Sequence, residues 1–285
     1  MPMPDAAAIH ELAPPEYRLE GAADVWKDWR KTAALAKHLT RRHLAERYRG
    51  SSLGFVWSLL NPLLMMLVYS FVFRLVFRGN IPGIRYEAFF LTGYLAWNFF
   101  SVSAANAASA IVDGRYLFQK TYIPHVALPL SAIFSNLVNY LAALPLLVLF
   151  NGAFGTWPGP SIVLLPLAVG LLLLLAMGVG LLLAGAAPFF RDLLQVIGVL
   201  FTAWFFATPV LYHLVYQISG KLSPAALLIY KMNPAVGAIR FIQAVFLREP
   251  LPWDEIAFSA AGAGALLLLG AWAFRRLSKR FFEVL

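Results

Sequence analysis

The stretch that decides the fold is residues 47–77, RYRGSSLGFVWSLLNPLLMMLVYSFVFRLVF, in which a basic lead containing Gly and Ser gives way to an apolar run. No charged residue occurs from Phe55 to Phe73. A helix over this run is about 28 Å long at about 1.5 Å per residue, close to the ~30 Å hydrocarbon core of a bilayer. The stretch therefore predicts a membrane-spanning helix rather than a buried helix of a soluble protein.

Asn61 and Pro62 interrupt this predicted span. Proline removes a backbone donor and disfavours helix at the residue before it, so we expect a kink or a late helix start. Two interpretations stay open. Either neighbouring groups satisfy the freed carbonyl and the proline is tolerated, or the bend belongs to a conduit.

The composition of the whole chain agrees with a membrane protein. Of its 285 residues, 60% are hydrophobic and 13% are charged, and the mean hydropathy is +0.71. Soluble domains have about 45–50% apolar and about 25% charged residues. The absence of cysteine excludes disulfides, thiol catalysis and Cys-based metal sites. The net charge of +9 comes from basic residues beside the predicted spans, which indicates membrane topology rather than nucleic-acid binding.

Outward from the first span, the apolar runs predict an all-α integral membrane protein with six transmembrane helices. The spans are expected at about 55–77, 88–112, 125–150, 161–187, 193–212 and 256–274. Two segments of small residues predict close helix packing: SVSAANAASA at 101–110, and a row formed by Ala176, Gly180 and Ala184. The segment 213–252 contains Asn233-Pro234 and an apolar piece, Ala235 to Leu247, that is too short to span. It predicts re-entrant helices between spans five and six.

The N-terminal part divides into two predicted segments. Residues 1–23 are rich in Pro and Ala without an apolar core, and they predict a flexible tail rather than a signal peptide. Residues 24–48 predict an amphipathic, basic helix in the cytoplasmic membrane interface, or alternatively a solvated helix that packs on a partner protein. Residues 49–285 form the six-span domain. Most of the 23 Lys and Arg residues lie on the side of the two termini, which places both termini in the cytoplasm.

The amino-acid sequences of two regions resemble one transporter family. R-Y-R-G-S-S-L-G-F-V-W-S-L-L-N-P-L at 47–63 is similar to the first membrane segment of type-2 ABC exporter permeases for polysaccharides and polyol phosphates, the O-antigen and teichoic-acid exporters. F-F-R-D-L at 189–193 and T-P-V-L-Y at 208–212 resemble the cytoplasmic turn and the outer end of the fifth span in that family.

This resemblance implies a function and partners. We expect the permease subunit of an ATP-driven exporter that moves a lipid-linked, O-antigen-like polysaccharide across the bacterial cytoplasmic (inner) membrane. It implies a homodimer with two copies of a nucleotide-binding subunit, which would bind ATP and Mg²⁺; no cofactor is expected in this chain. In agreement, the sequence contains no G-x-x-x-x-G-K-[ST] phosphate loop.

The resemblance also suggests roles for individual residues. In this family the first and fifth spans face the conduit, where aromatic faces stack on sugars; the alternative is that the aromatics only pack the bundle. The conduit residues predicted here are Trp57, Asn61, Tyr69, Phe73, Trp204, Phe205 and Thr208. Those predicted to couple to the ATPase are Arg115, Tyr116, Phe118, Tyr122, Arg191 and Asp192. Those predicted to contact a lipid diphosphate, or alternatively anionic headgroups, are Arg41, Arg42, Arg47 and Arg49.

Other functions remain as alternatives. The same class of permease exports teichoic acid, capsular polysaccharide or another lipid or drug cargo. A membrane-embedded polyprenyl-phosphate transferase would need clustered acidic or His residues, whereas the carboxylates of this chain lie almost all in predicted tails and loops. The five histidines are scattered, and we expect no metal site and no catalytic residues.

Overall fold

The regular elements of the described part of the chain are helices. The computed structural model describes residues 29–48, 56–75, 83–115, 124–190, 192–218 and 220–281. Its α-helices are α1 Trp29–Tyr48, α2 Val56–Leu75, α3 Tyr86–Asp113, α4 Ala127–Ala153, α5 Leu165–Ala186, α6 Leu193–Phe206, α7 Pro224–Lys231, α8 Pro234–Leu247 and α9 Trp253–Leu277. A 3₁₀ turn, Pro160–Leu164, precedes α5, and another, Ser278–Arg280, follows α9. The predicted all-helical fold is confirmed for these residues.

Four helical segments among the described residues are long and apolar enough to cross a bilayer. They are Tyr86–Asp113, Ala127–Ala153, Pro160–Ala186 and Trp253–Arg280. A fifth is counted only if α7 and α8, which are bent by 79°, form one broken span. The predicted first and fifth spans contain the shorter apolar helices Leu60–Tyr69 and Leu193–Phe206. The structure thus supports four to five candidate spans, and six stays a prediction.

Helix α3 lies at the centre of the bundle. It packs against α2, α4, α5, α6 and α8. Large side chains of α3, including Phe89, Phe90 and Phe100, are almost completely buried. Most faces of α3 meet other helices. In agreement, apolar residues occur on nearly all faces of the helix, and no charged residue lies between Glu87 and Asp113.

Small residues set the spacing of α5. A Cβ added at Gly180 would lie 3.1 Å from the Cβ of Ala107, so the small residues of α5 meet the predicted small-residue segment of α3. On its other side, α5 packs most extensively against α9. There a Cβ on Gly270 would overlap the carbonyl oxygen of Gly178. Small residues at such crossings let helix backbones approach closely, and dispersion contacts then hold the pair together.

Helix α8 is short and completely enclosed by the chain. Every residue from Ala235 to Leu247 is buried. Its start is well defined, because the side-chain oxygen of Asn233 accepts a hydrogen bond from the Ala235 amide at 3.1 Å and Pro234 occupies the first helical position. Farther along, Gln243 Nε2 donates to the carbonyl oxygen of Pro209 at 3.1 Å and connects α8 to the turn after α6.

An ionic network holds α8 against α9. Nη1 of Arg240 in α8 donates to both carboxylate oxygens of Glu255 in α9, each at 2.9 Å. Nη2 of Arg240 lies 3.9 Å from Oε2 of Glu249, whose Oε1 lies 2.7 Å from Nε2 of His213. Lys231 Nζ lies 3.6 Å from Oε1 of Glu255. Arg240, Glu255 and His213 are each at most 5% exposed. The network therefore links α7, α8, α9 and the turn after α6.

We expect Gly270→Ala to destabilise the bundle. The added methyl would collide with the Gly178 carbonyl, and overpacking of this kind costs about 1–3 kcal/mol. The matched control is Gly264→Ala in the same helix, where a Cβ meets nothing within 4 Å. That control should be neutral or gain up to about 1 kcal/mol from helix propensity. Thermal unfolding in detergent measures both, and equal melting temperatures for the two variants would contradict the close crossing.

We also expect Arg240→Met to cost about 3–5 kcal/mol of unfolding free energy, because it leaves buried carboxylates without their cation. Lys221→Met is the control. Lys221 is exposed between α6 and α7 and is not part of the network, so its loss should change the unfolding free energy by less than about 0.5 kcal/mol. Unfolding followed by tryptophan fluorescence tests this difference. A loss of less than ~2 °C for Arg240→Met, or about 1 kcal/mol, would contradict the role of the network.

Candidate conduit and membrane-facing surfaces

An aromatic cluster joins α2, α3 and α6. The Tyr69 ring of α2 lies 4.9 Å from the Phe90 ring of α3 and 6.3 Å from the Phe205 ring of α6. Tyr94 of α3 meets Phe205 edge to face at 6.4 Å. Ring centroids at 4.5–7 Å are the favourable range for aromatic pairs. These contacts hold α2 and α6 next to each other on one side of α3.

The cluster continues along α3 and α6 through two tryptophans. Trp204 packs edge to face on Trp97 at 6.2 Å and on Phe100 at 5.2 Å. Its indole Nε1 donates to the side-chain oxygen of Asn233 at 2.9 Å. Asn233 in turn donates to the Ala207 carbonyl at 3.2 Å. The aromatic cluster is therefore connected by hydrogen bonds to the bend between α7 and α8.

The structure places the predicted conduit residues in three environments. Tyr69, Trp204 and Phe205 belong to the aromatic cluster. Trp57 and Asn61 of α2 are exposed on the outside of the chain. Thr208 is fully buried, and its hydroxyl donates to the Trp204 carbonyl at 2.8 Å. The side chain of Phe73 lies outside the described part of the structure.

Two sets of residues in this region escaped the sequence analysis. The aromatics of α3 supply four of the seven rings described above. Phe90, Tyr94 and Trp97 follow each other at the helical spacing i, i+4, i+7 that could have indicated a shared face. The second set is the ionic network. Glu249 and Glu255 flank a Pro-containing loop in the sequence, but the structure buries both side chains beside Arg240.

The outer faces of α2 and α6 are apolar and exposed. The exposed side chains are Val56, Leu64, Leu67, Val68 and Phe71 of α2, and Val196, Val199, Leu200 and Phe206 of α6. Only Ile197, Phe201 and Phe205 of α6 are buried. In a membrane such faces meet lipid tails or another apolar protein surface. The part of a single chain that the structure describes therefore does not enclose a passage along α2 and α6.

Helix α1 lies along α4. Its buried residues Leu35, Ala36 and Leu39 share a core cluster with the start of α4, and the Thr40 hydroxyl lies 3.4 Å from the Ser131 carbonyl. Of the basic residues predicted to contact lipid phosphate, Arg41 is exposed and Arg42 is half-buried. The Arg47 side chain and all of Arg49 lie outside the described part of the chain.

The predicted coupling residues lie at one end of the bundle as far as they are described. Arg115, just after α3, and Asp192, just before α6, are exposed, whereas Tyr116, Phe118, Tyr122 and Arg191 fall outside the described residues. At this end the fully buried Phe281 ring contacts His125 at 5.5 Å and Phe189 at 6.1 Å. The start of α4, the segment after α5 and the end of α9 thus meet on one side. Within the described residues, no three His, Asp or Glu side chains are arranged to hold a metal ion.

Comparison with known proteins agrees with this architecture. The chain is 40% identical to an O-antigen export system permease protein of Myxococcus xanthus, over 82% of this chain and 88% of that protein. It is 30% identical to an O-antigen export system permease protein of Klebsiella pneumoniae, over 87% and 93%. It is 22% identical to a polysialic acid transport protein of Escherichia coli, over 61% and 67%. Residues 34–247, most of the helical bundle, match the family described as ABC-2 type transporter, and the chain belongs to this family.

Proposed function

We propose that this chain is the membrane-spanning permease subunit of an ATP-driven exporter, and that its cargo is a lipid-linked, O-antigen-like polysaccharide. The observation that carries the proposal is the 40% identity to an O-antigen export permease over 82% of the chain. The weaker similarity to a polysialic acid transport protein favours a capsular polysaccharide as the second candidate cargo. Both candidates are polymers of sugars, and both would need the same kind of passage.

The proposed working unit contains two copies of the chain in the bacterial cytoplasmic membrane, each with six spans and cytoplasmic termini. The exposed apolar faces of α2 and α6 support a second copy, since no described element of one chain covers them. In this proposal α2 and α6, with their flanking residues, are the first and fifth spans. The bent pair α7–α8 enters the membrane from the outer side and returns, which suits its 79° bend.

The energy for export would come from two separate nucleotide-binding subunits. The sequence contains no phosphate-binding loop, so ATP and Mg²⁺ would bind to those partners. They would attach at the end of the bundle that carries Arg115, Asp192 and the segment 116–123. The exposure of Arg115 and Asp192 supports this assignment, because a docking surface must be accessible before the partner binds.

The conduit would run along the aromatic cluster between the two copies. Aromatic faces stack on the C–H faces of sugars without selecting one sugar, while the exposed Asn61 offers hydrogen bonds to hydroxyl groups. The basic residues at the start of the spans, Arg41, Arg42, Arg47 and Arg49, would meet the diphosphate of the carrier lipid, since the planar guanidinium group matches phosphate oxygens.

The cargo assignment is tested by deleting the gene. The cell surface should lose its polysaccharide, and the lipid-linked polymer should accumulate in the cytoplasmic membrane, where mass spectrometry of extracted lipids detects it. Complementation with the native chain should restore export. Complementation with a Lys221→Ala chain, altered at an exposed lysine between α6 and α7, should restore it equally. Normal surface polysaccharide in the deletion strain would contradict the proposal.

The position of the conduit is tested with single cysteines, because the native chain has none. Cysteines at Trp57, Asn61, Tyr69, Trp204 and Thr208 should change their labelling by a water-soluble thiol reagent when ATP and cargo are added. The buried Thr208 site should be labelled only when the passage opens.

The control for this experiment is Lys221→Cys, at an exposed position between α6 and α7. Its labelling should not respond to ATP or cargo. If all six positions behave alike in the presence and absence of ATP, the assignment of the conduit to α2 and α6 is wrong.

A further inference from the structure

A groove of about 710 Å³ runs between α1 and α4. Its α4 wall is a stripe of apolar residues at a spacing of four, formed by Val126, Leu130, Phe134 and Val138. Its α1 wall is formed by one face of that helix, with the residues Thr32, Ala33, Ala36, Lys37, Thr40, Arg41 and Leu44. The volume falls in the range of about 300–1,000 Å³ that is usual for ligand sites.

Several residues of the α1 wall are small. Ala33, Ala36 and Thr40 lie on this wall, and Leu130 and Phe134 lie on the α4 wall. The Thr40 hydroxyl does not donate a hydrogen bond into the groove, since it donates to the Ala36 carbonyl at 2.7 Å. The space is therefore lined almost entirely by hydrocarbon.

The length of the groove matches one leaflet of a membrane. From Val126 to Val138 the α4 wall extends about 18 Å at about 1.5 Å per residue. Half of the ~30 Å hydrocarbon core is about 15 Å. A single acyl chain fits a groove of this length, whereas the isoprenoid tail of a polyprenyl carrier is longer than one leaflet.

Two cations lie at the edge of the groove. Lys37 and Arg41 are one helical turn apart on α1, and both side chains are exposed. Like charges at this spacing repel each other. Within the described part of the chain neither side chain has a carboxylate partner. An anion placed between them would relieve the repulsion, and a lipid phosphate next to an apolar groove supplies one.

We infer that the α1–α4 groove is a binding site for an anionic phospholipid of the cytoplasmic leaflet. One acyl chain lies along Val126, Leu130 and Phe134, and the phosphate lies between Lys37 and Arg41. The bound lipid fills the space between α1 and α4 and attaches α1 to the bundle. Arg41 is shared with the basic residues proposed to meet the carrier diphosphate, so the experiment must separate the two lipids. The inference does not depend on which polymer is exported.

Native mass spectrometry of the delipidated protein with added phosphatidylglycerol or phosphatidylcholine tests the site. The native chain should retain phosphatidylglycerol preferentially. The double variant Lys37→Gln/Arg41→Gln should bind it about tenfold more weakly and lose the preference, because each basic residue near the headgroup strengthens binding. The matched control, Lys279→Gln/Arg280→Gln, removes two exposed charges after α9 and should bind like the native chain.

A second variant tests the apolar part of the groove. Ala33→Phe should fill the groove and remove one bound phosphatidylglycerol, whereas Ala142→Phe, at an exposed position of α4 outside the groove, should not. Phosphatidylglycerol binding that is unchanged in both Lys37→Gln/Arg41→Gln and Ala33→Phe would overturn the inference. It would also be overturned if polyprenyl phosphate displaced phosphatidylglycerol from the native chain at equal concentration, since the groove would then belong to the carrier lipid.

Discussion

The ion pair between Arg240 and Glu255 is the interaction on which the end of the bundle that contains α7 and α8 depends. It joins a helix that never reaches the surface to the start of the last membrane helix. A buried pair of this kind contributes little net stability compared with an apolar contact of the same shape, but each charge requires the other. Glu249 and His213 extend the constraint to the turn after α6. The position of α8 is therefore specified by charge matching, while its burial comes from apolar packing.

In the rest of the bundle, close packing of small residues specifies where the helices lie. Gly180 of α5 meets Ala107 of α3, and Gly178 meets Gly270 of α9. Lipid tails and side chains are equally apolar, so helices in a membrane gain little from hydrophobic burial against each other. Dispersion attraction between backbones that touch at small residues supplies the stabilisation that hydrophobic burial does not. The aromatic side of α3 is packed differently. There α2 and α6 contact α3 mainly through large aromatic side chains rather than through their backbones.

That difference relates the fold to transport. The α5–α9 contact is backbone against backbone, and such a packed crossing resists small displacements. The α2–α6 side is held by ring contacts such as that between Tyr69 and Phe205, and no described element of the single chain covers its apolar surface. In the proposed exporter, a passage that must open and close would suit this side, where helices can separate without breaking a closely packed crossing. The network around Arg240 would then keep α7 and α8 attached to α9.

The sequence by itself determined the helical membrane class, the transporter family, the short apolar helix after Asn233-Pro234 and the small-residue segments that pack. These follow from local properties: the length of apolar runs, proline and amide caps, and residue size. Only the tertiary structure decided that Glu249 and Glu255 are buried beside Arg240, and that Thr208 points inward while Trp57 points outward. The physical reason is that periodicity identifies the apolar faces of a helix, but a face that meets lipid and a face that meets protein have the same composition.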